Sequence, residues 1–235
     1  MKRLMLMIGF VMMLCTAVLG NDYYVSQSGD DGNPGSKDKP FKTIQKAASV
    51  MAAGDTCYVG EGRYTESVQV TGSGAKEAPI RFVAQPEGKV TINGMYRIER
   101  HWIGYFDYEI WSTAAEKTFQ TGTDGKYYSE IYVDGEKMTR VANAKGLREP
   151  KQWFMEGTKL VLWPPAGESP EGVAAPYNNP ETLHVEGRLV GGGFVLKGAE
   201  YVVITDFKFS DATVNFENCS HCTVENCSFS SSKSK

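Results

Sequence analysis

Four carboxylates near the end of this chain, Asp206, Asp211, Glu217 and Glu225, sit where short alternating strands would turn them outward. Gathered across neighbouring strands, they would form an acidic cluster able to give and take protons. A second set lies mid-chain. Trp153 offers a flat apolar face of the kind that stacks on a sugar ring, and Arg140 and Arg148 offer planar forks that pair with a carboxylate. Each has a plain alternative: outward acids keep a surface solvated, and tryptophans fill cores. Trp102, Trp111 and Trp163 share both readings, with Trp153 expected to be the most exposed.

Strands must position these groups, and the last stretch supplies them. The segment Gly198 to Phe209 lies over Asn218 to Phe229 at a constant offset of 20 residues. Ala199 then falls on Cys219, Val202 on Cys222, Ile204 on Val224, Phe207 on Cys227 and Phe209 on Phe229. Asp206 meets Asn226 at a turn, and His221 shares an outward position with Tyr201. A fixed period of this length, with short alternating runs, predicts a solenoid whose stacked coils are made of strands. One coil cannot bury its apolar face alone, whereas a stack buries it continuously.

The front of the chain fits the same plan. A first strand, Asp22 to Ser26, leads into a turn-rich loop, Gly29-Asp30-Asp31-Gly32-Asn33-Pro34-Gly35. Its acids invite calcium, although their spacing is not that of an EF-hand loop. Ile44, Ala47, Ala48 and Met51 then recur at helical spacing after Pro40 and before Gly54, which predicts an amphipathic helix sealing the end of the solenoid. Alternating strands follow at 56–59, 67–70, 79–83 and 89–92. In order, Asp22-Tyr23-Tyr24-Val25-Ser26, Lys39-Pro40-Phe41-Lys42-Thr43-Ile44, Gly54-Asp55-Thr56-Cys57-Tyr58-Val59, Gly62-Arg63-Tyr64 and Pro79-Ile80-Arg81-Phe82 resemble the N-terminal end of secreted pectin-lyase-like β-helix proteins. The resemblance covers roughly residues 22–94 and 188–229. It implies an all-β, right-handed parallel β-helix with an N-terminal capping helix.

Residues 97–187 break the short period. They are rich in aromatics and contain a strand, an Asp134-Gly135 turn and a second strand through Met138. They read as an inserted β-rich subdomain. The expected organisation is a targeting segment at 1–20, cap and first coils at 21–96, the insertion at 97–187 and further coils at 188–235. Val-Asp-Gly hairpins followed by a Thr-Arg segment, here Thr139-Arg140, resemble insertions in β-helical glycosidase-like proteins.

The resemblance implies carbohydrate chemistry of two kinds. Lyases remove a proton beside a uronate carboxylate and need a base and positive charge, whereas hydrolases need two carboxylates flanking the bond. The insertion favours the hydrolase. The expected role is therefore an exported glycoside hydrolase or polysaccharide lyase acting on a complex polysaccharide, of which this chain carries the N-terminal part. The alternative is a non-catalytic carbohydrate-binding or adhesin-like β-helix. The final Ser230 to Lys235 follow directly on a coil with no apolar capping helix, so further coils are expected beyond them.

Composition narrows the classes. A net charge of −3 offers no basic surface for nucleic acid. Lys2 and Arg3 before the apolar run Leu4 to Leu19, with Gly20 following, predict a cleaved signal peptide, hence a secreted, periplasmic or cell-surface protein with no membrane partner after cleavage. Cys15 leaves with that segment. Cys219, Cys222 and Cys227 fall on Ala, Val and Phe of the preceding coil, so they are expected inside as small hydrophobes rather than as a disulfide or metal site. No phosphate loop, Gly-x-Ser-x-Gly elbow or His-Glu-x-x-His helix occurs.

Overall fold

The computed structural model describes residues 20–99, 102–105, 110–114, 127–165, 180 and 183–231. Residues 1–19 of the predicted signal sequence, Cys15 among them, lie outside the described residues. Among those described, no helix is long and apolar enough to cross a membrane.

The chain opens with β1 (Asp22–Val25), α1 (Ile44–Ala48), β2 (Thr56–Tyr64), β3 (Ser67–Val70) and β4 (Ile80–Asn93). It departs through β5 (Met95–Arg97), β6 (Ile103–Gly104), β7 (Trp111–Ala114), β8 (Tyr128–Val133), β9 (Glu136–Lys137), β10 (Thr139–Arg140), β11 (Gln152–Glu156), β12 (Lys159–Trp163) and β13 (Val185–Leu189). It returns as β14 (Gly193–Lys197), β15 (Val202–Thr205), β16 (Lys208–Ser210), β17 (Thr213–Glu217), β18 (Thr223–Glu225) and β19 (Ser228–Ser230).

The outer segments form a right-handed parallel β-helix. One parallel sheet runs β1-β2-β4-β15-β18, and a second runs β17-β14-β3. Strand β4 is long enough to turn a corner: Ile80–Val83 pair with β15, and Thr91–Asn93 pair with β16. The 20-residue offset is the pairing register itself. Val203 pairs with Thr223, Phe209 with Phe229 and Phe194 with Val214.

The apolar positions face inward. Ala199, Val202, Ile204, Phe207 and Phe209 are buried in one cluster with Phe82 and Phe194. The rings of Phe194 lie edge-on to Phe82 at 5.2 Å and to Phe207 at 5.7 Å. Each of the larger of these side chains, from Val202 to the phenylalanines, contributes about 1.5–3 kcal/mol through burial. Cys219, Cys222 and Cys227 pack partly buried against this cluster as free thiols, and Cys57 is fully buried. Burial raises the thiol pKa of Cys57, Cys222 and Cys227.

The corners explain several polar residues. Gly198 and Asn218 have φ of 62° and 54°, Tyr201 and His221 have 51° and 54°, and Asp206 and Asn226 have 71° and 51°. The same corner thus recurs every coil in the left-handed region, which Gly, Asn and Asp enter most easily. Tyr201 and His221 accompany it with rings stacked at 4.6 Å.

Helix α1 is a single turn, shorter than the helical spacing through Met51 predicts. Thr43 caps it, its side chain accepting the Lys46 N–H. Upstream, Phe41 is committed to a parallel bridge with Val25, which keeps Pro40 and Phe41 extended. The face carrying Ile44, Ala47 and Ala48 joins the β-helix core. The acids of the preceding loop are engaged by protein donors. Asp31 accepts the Lys42 and Thr43 N–H groups, both at 2.9 Å, and Asp30 accepts the Gly32 N–H at 2.7 Å. These carboxylates organise the loop.

The excursion between β4 and β14 folds differently. Its pairs β13–β5, β13–β8, β11–β12 and β12–β7 are antiparallel. It has its own apolar clusters, one including Trp102, Tyr128, Ile131, Trp153 and Leu162, the other Ile110, Phe154 and Val161.

Candidate functional site: a charged junction beside a cavity

The hairpin of β8 and β9 builds the site. Asp134 and Gly135 adopt φ of 49° and 83°, the left-handed pair that a two-residue hairpin turn requires. This sets Tyr132 opposite Lys137 and leaves Glu130 diagonal to it. On the other side of β8, Glu130 lies directly opposite Arg188 of β13.

Three donors therefore converge on one carboxylate. Glu130 accepts from Lys137 Nζ, from the Tyr132 hydroxyl at 2.8 Å and from Arg188 Nε at 2.7 Å. Burial alone would raise its pKa, but hydrogen bonds from Lys137, Tyr132 and Arg188 hold it down at about 2. The hydrogen bond to Glu130 raises the pKa of Lys137. Burial opposes the charge on Arg188, yet its bonds to Glu130 and Tyr132 raise its pKa too.

Arg188 also reaches the β-helix. Its Nη1 donates to the Asp211 carbonyl at 3.0 Å, and its Nη2 lies 3.4 Å from Asp211 Oδ1. The Asp211 side chain is 1% exposed and also accepts from Ser231 Oγ at 3.1 Å. The backbones meet closely here, since a Cβ on Gly94 would lie 1.9 Å from the Asp211 carbonyl oxygen.

A cavity of about 420 Å³ opens beside this junction, bordered by Ser129, Glu130, Lys137, Met138, Thr139, Arg140 and Trp153. The Arg140 guanidinium lies over the Trp153 ring, 5.3 Å from its centroid. Of the groups bordering the cavity, Glu130 and Lys137 hold each other charged across the neutral range. They suit electrostatic pairing and hydrogen bonding.

The sequence candidates are distributed unevenly. Trp153 and Arg140 border the cavity, but Trp153 is fully buried, which corrects its reading as an exposed platform. It belongs to the core under β11, covered by Arg140. Arg148 is exposed and outside the cavity. The four acids do not gather into a cluster. Asp206 is a corner residue whose N–H bonds the Glu225 carbonyl, Glu225 is exposed and accepts from the Thr223 hydroxyl, and Glu217 pairs with Lys197 at 3.6 Å. Asp211 is buried and tied to Arg188. Asp206 and Glu225 neighbour each other on adjacent coils, whereas Asp211 and Glu217 fall at other points around the coil and are held by Arg188 and Lys197. Among the described residues, no group of three or more His, Cys, Asp or Glu could hold a metal ion. The residues that sequence reading missed are Glu130, Lys137, Tyr132 and Arg188. The Asp134-Gly135 turn pointed to the hairpin, but nothing in the sequence paired β8 with β13.

Comparisons with known proteins place the fold. Residues 27–72 match a family described as "Protein of unknown function (DUF1565)". The chain is 41% identical over 75 residues to the uncharacterized protein YwoF of Bacillus subtilis, covering 32% of this chain and 16% of that protein. It is 40% identical over 83 residues to pectate lyase PEL9 of Emericella nidulans, covering 34% of this chain and 20% of the lyase. A solved structure of XylC in complex with xylose superposes with a TM-score of 0.52 at 22% identity, over 83% of this chain and 36% of that one. The chain thus spans only a minor part of each of these relatives. Parallel coils in a 20-residue register, with the local identity to a pectate lyase and the superposition on XylC, give the architecture: the chain has the pectin-lyase-like fold, a right-handed parallel β-helix.

Proposed function

We propose that this chain is part of an exported carbohydrate-active β-helix protein, a glycoside hydrolase or polysaccharide lyase, and that the described residues serve it by holding polysaccharide. The observation that carries the reading is the cavity at the junction of coils and excursion, with cations, hydroxyls and a tryptophan at its border. The local identity to a pectate lyase supports the same substrate chemistry. The apolar run at Leu4 to Leu19 supports export.

The division of labour follows from protonation. Glu66 is raised to about 7 by burial, but both its oxygens are bonded to backbone N–H groups of α1, so it is not presented to a substrate. Glu130 is held ionised with three donors on it. Neither carboxyl is arranged as a general acid. This favours a second reading, a non-catalytic carbohydrate-binding β-helix.

Incubation with a panel of neutral and acidic polysaccharides separates the readings. New reducing ends without ultraviolet absorbance identify a hydrolase, and an absorbing unsaturated product identifies a lyase. Saturable binding without products identifies the binding protein. Neither binding nor products from any polysaccharide overturns the carbohydrate reading.

A further inference from the structure

We infer that cleavage between Gly20 and Asn21 is a maturation step of the fold: it frees an α-ammonium on Asn21 that pairs with the buried carboxylate of Asp55 and anchors the first strand. The inference rests on the export reading and gives the processed end a structural task.

Asp55 is 2% exposed, and its carboxylate meets the start of the chain. Its Oδ1 accepts the Asn21 backbone N–H at 2.7 Å and the Asn21 side-chain amide at 3.3 Å, and its Oδ2 accepts the Ala52 N–H at 2.8 Å. All three donors are neutral amides. Among the described residues no lysine, arginine or histidine pairs with Asp55, although a buried carboxylate normally has a cation. Asn21 is held from its other side as well. Its carbonyl accepts the Thr56 N–H at 2.9 Å, just ahead of the ladder that joins Asp22–Val25 to Thr56–Val59. The nitrogen is therefore in place on Asp55 without rearrangement.

Hydrolysis of the Gly20–Asn21 peptide bond adds one water, leaving a carboxylate on Gly20 in the departing leader and an ammonium on Asn21. An α-amino group, with an ordinary pKa of about 7.7–8.0, is charged at neutral pH. The nitrogen 2.7 Å from Oδ1 thus changes from a neutral donor to a cation. Charge-assisted bonds are roughly twice as strong as neutral ones. Gly20 sits hard against the next turn, since a Cβ there would lie 1.7 Å from the Gly54 carbonyl oxygen. The absence of a side chain at position 20 serves both this close approach and a leader peptidase, which requires a small residue.

The test begins with the full chain expressed with its own leader in an exporting bacterial host. The intact mass of the exported protein should place its first residue at Asn21. Urea unfolding then compares it with a variant that retains Leu19 and Gly20, whose ammonium stands two residues away from Asn21. The retained residues should raise the unfolding equilibrium constant about tenfold, the difference between a charged and a neutral donor. Asp55→Asn should erase the difference between the two starts. The Asn21 amine should also acylate more slowly at neutral pH than the Leu19 amine, a readout that stands even where Asp55→Asn does not fold.

An exported protein that starts at Asn21 but matches the longer variant in unfolding and acylation would overturn the ion pair and leave export intact. A mature end at another residue would overturn the cleavage site and the ion pair with it, again leaving export intact. A chain that keeps its leader and stays in the cell overturns the export reading and this inference together.

Discussion

The side-chain amide of Gln45 occupies the open edge of strand β3 at Gln69. Its Oε1 accepts the Gln69 N–H at 2.7 Å, and its Nε2 donates to the Gln69 carbonyl at 3.4 Å. Strand β3 is the outermost of the sheet β17-β14-β3, so one side chain from α1 stands in for a missing neighbour strand. Gln45→Ala would strand both backbone groups. A loss of about 1–3 kcal/mol in urea unfolding is expected, larger than for Gln45→Glu, which keeps the acceptor.

Glu66 secures the same helix, accepting the Ile44 and Gln45 N–H groups at 3.1 and 3.0 Å. Burial raises its pKa to about 7, against the pull of those N–H groups, and the Asp31 charge adds to the rise. A carboxyl with a raised folded pKa binds its proton more tightly than the unfolded chain does. Its contribution is therefore fully present below about pH 4.5 and is lost as pH rises toward 7. Over that window stability should fall by at most about 1.4 kcal/mol per pH unit, and Glu66→Gln should flatten the slope. Urea midpoints from pH 4 to 8 on both proteins measure it, and identical slopes would contradict it.

Arg188 joins the excursion to the coils. Arg188→Met would leave the Asp211 carboxylate, 1% exposed, without its cation, and would remove one of three donors from Glu130. Breaking a buried pair from one side costs about 3–5 kcal/mol, and the quarter exposure of Arg188 places the expected loss near the lower end. A double-mutant cycle with Asp211→Asn, read by thermal unfolding, should recover part of that loss.

Trp153 and Arg148 should behave oppositely. Trp153→Ala empties the centre of the excursion core and should cost about 3–5 kcal/mol. Arg148→Ala, at an exposed position outside the cavity, should stay within about 0.5 kcal/mol of wild type. Parallel chemical denaturation of the two variants decides the matter.

The thiols should label in order of burial. Cys57 is fully buried with its pKa raised, so it should react with an aromatic disulfide reagent only after unfolding. Cys219, Cys222 and Cys227 are half-buried and should react in the folded protein, at rates slower than those of a free thiol. Mass mapping of labelled peptides with time gives the order.

The sequence by itself determined the coils. Repetition at 20 residues is a local property, and stacking identical registers is the arrangement that buries Val202, Ile204, Phe207 and Phe209 while placing like on like. The Asp134-Gly135 turn was legible for the same reason, since two adjacent residues with φ above zero specify a hairpin. The match with Asn226 also placed Asp206 at a turn, although it reads as a catalytic acid as well; the burial of Trp153 was not legible. An aspartate selected for left-handed backbone looks in sequence like one selected for its charge. The junction was decided by tertiary structure alone. Glu130 and Arg188 meet because β8 pairs antiparallel with β13 across a separation of 58 residues, and Arg188 meets Asp211 because the excursion ends where a coil turns its corner. Such a pairing leaves no period in the sequence: each partner contributes one charged residue, and only the pairing of the strands brings them together.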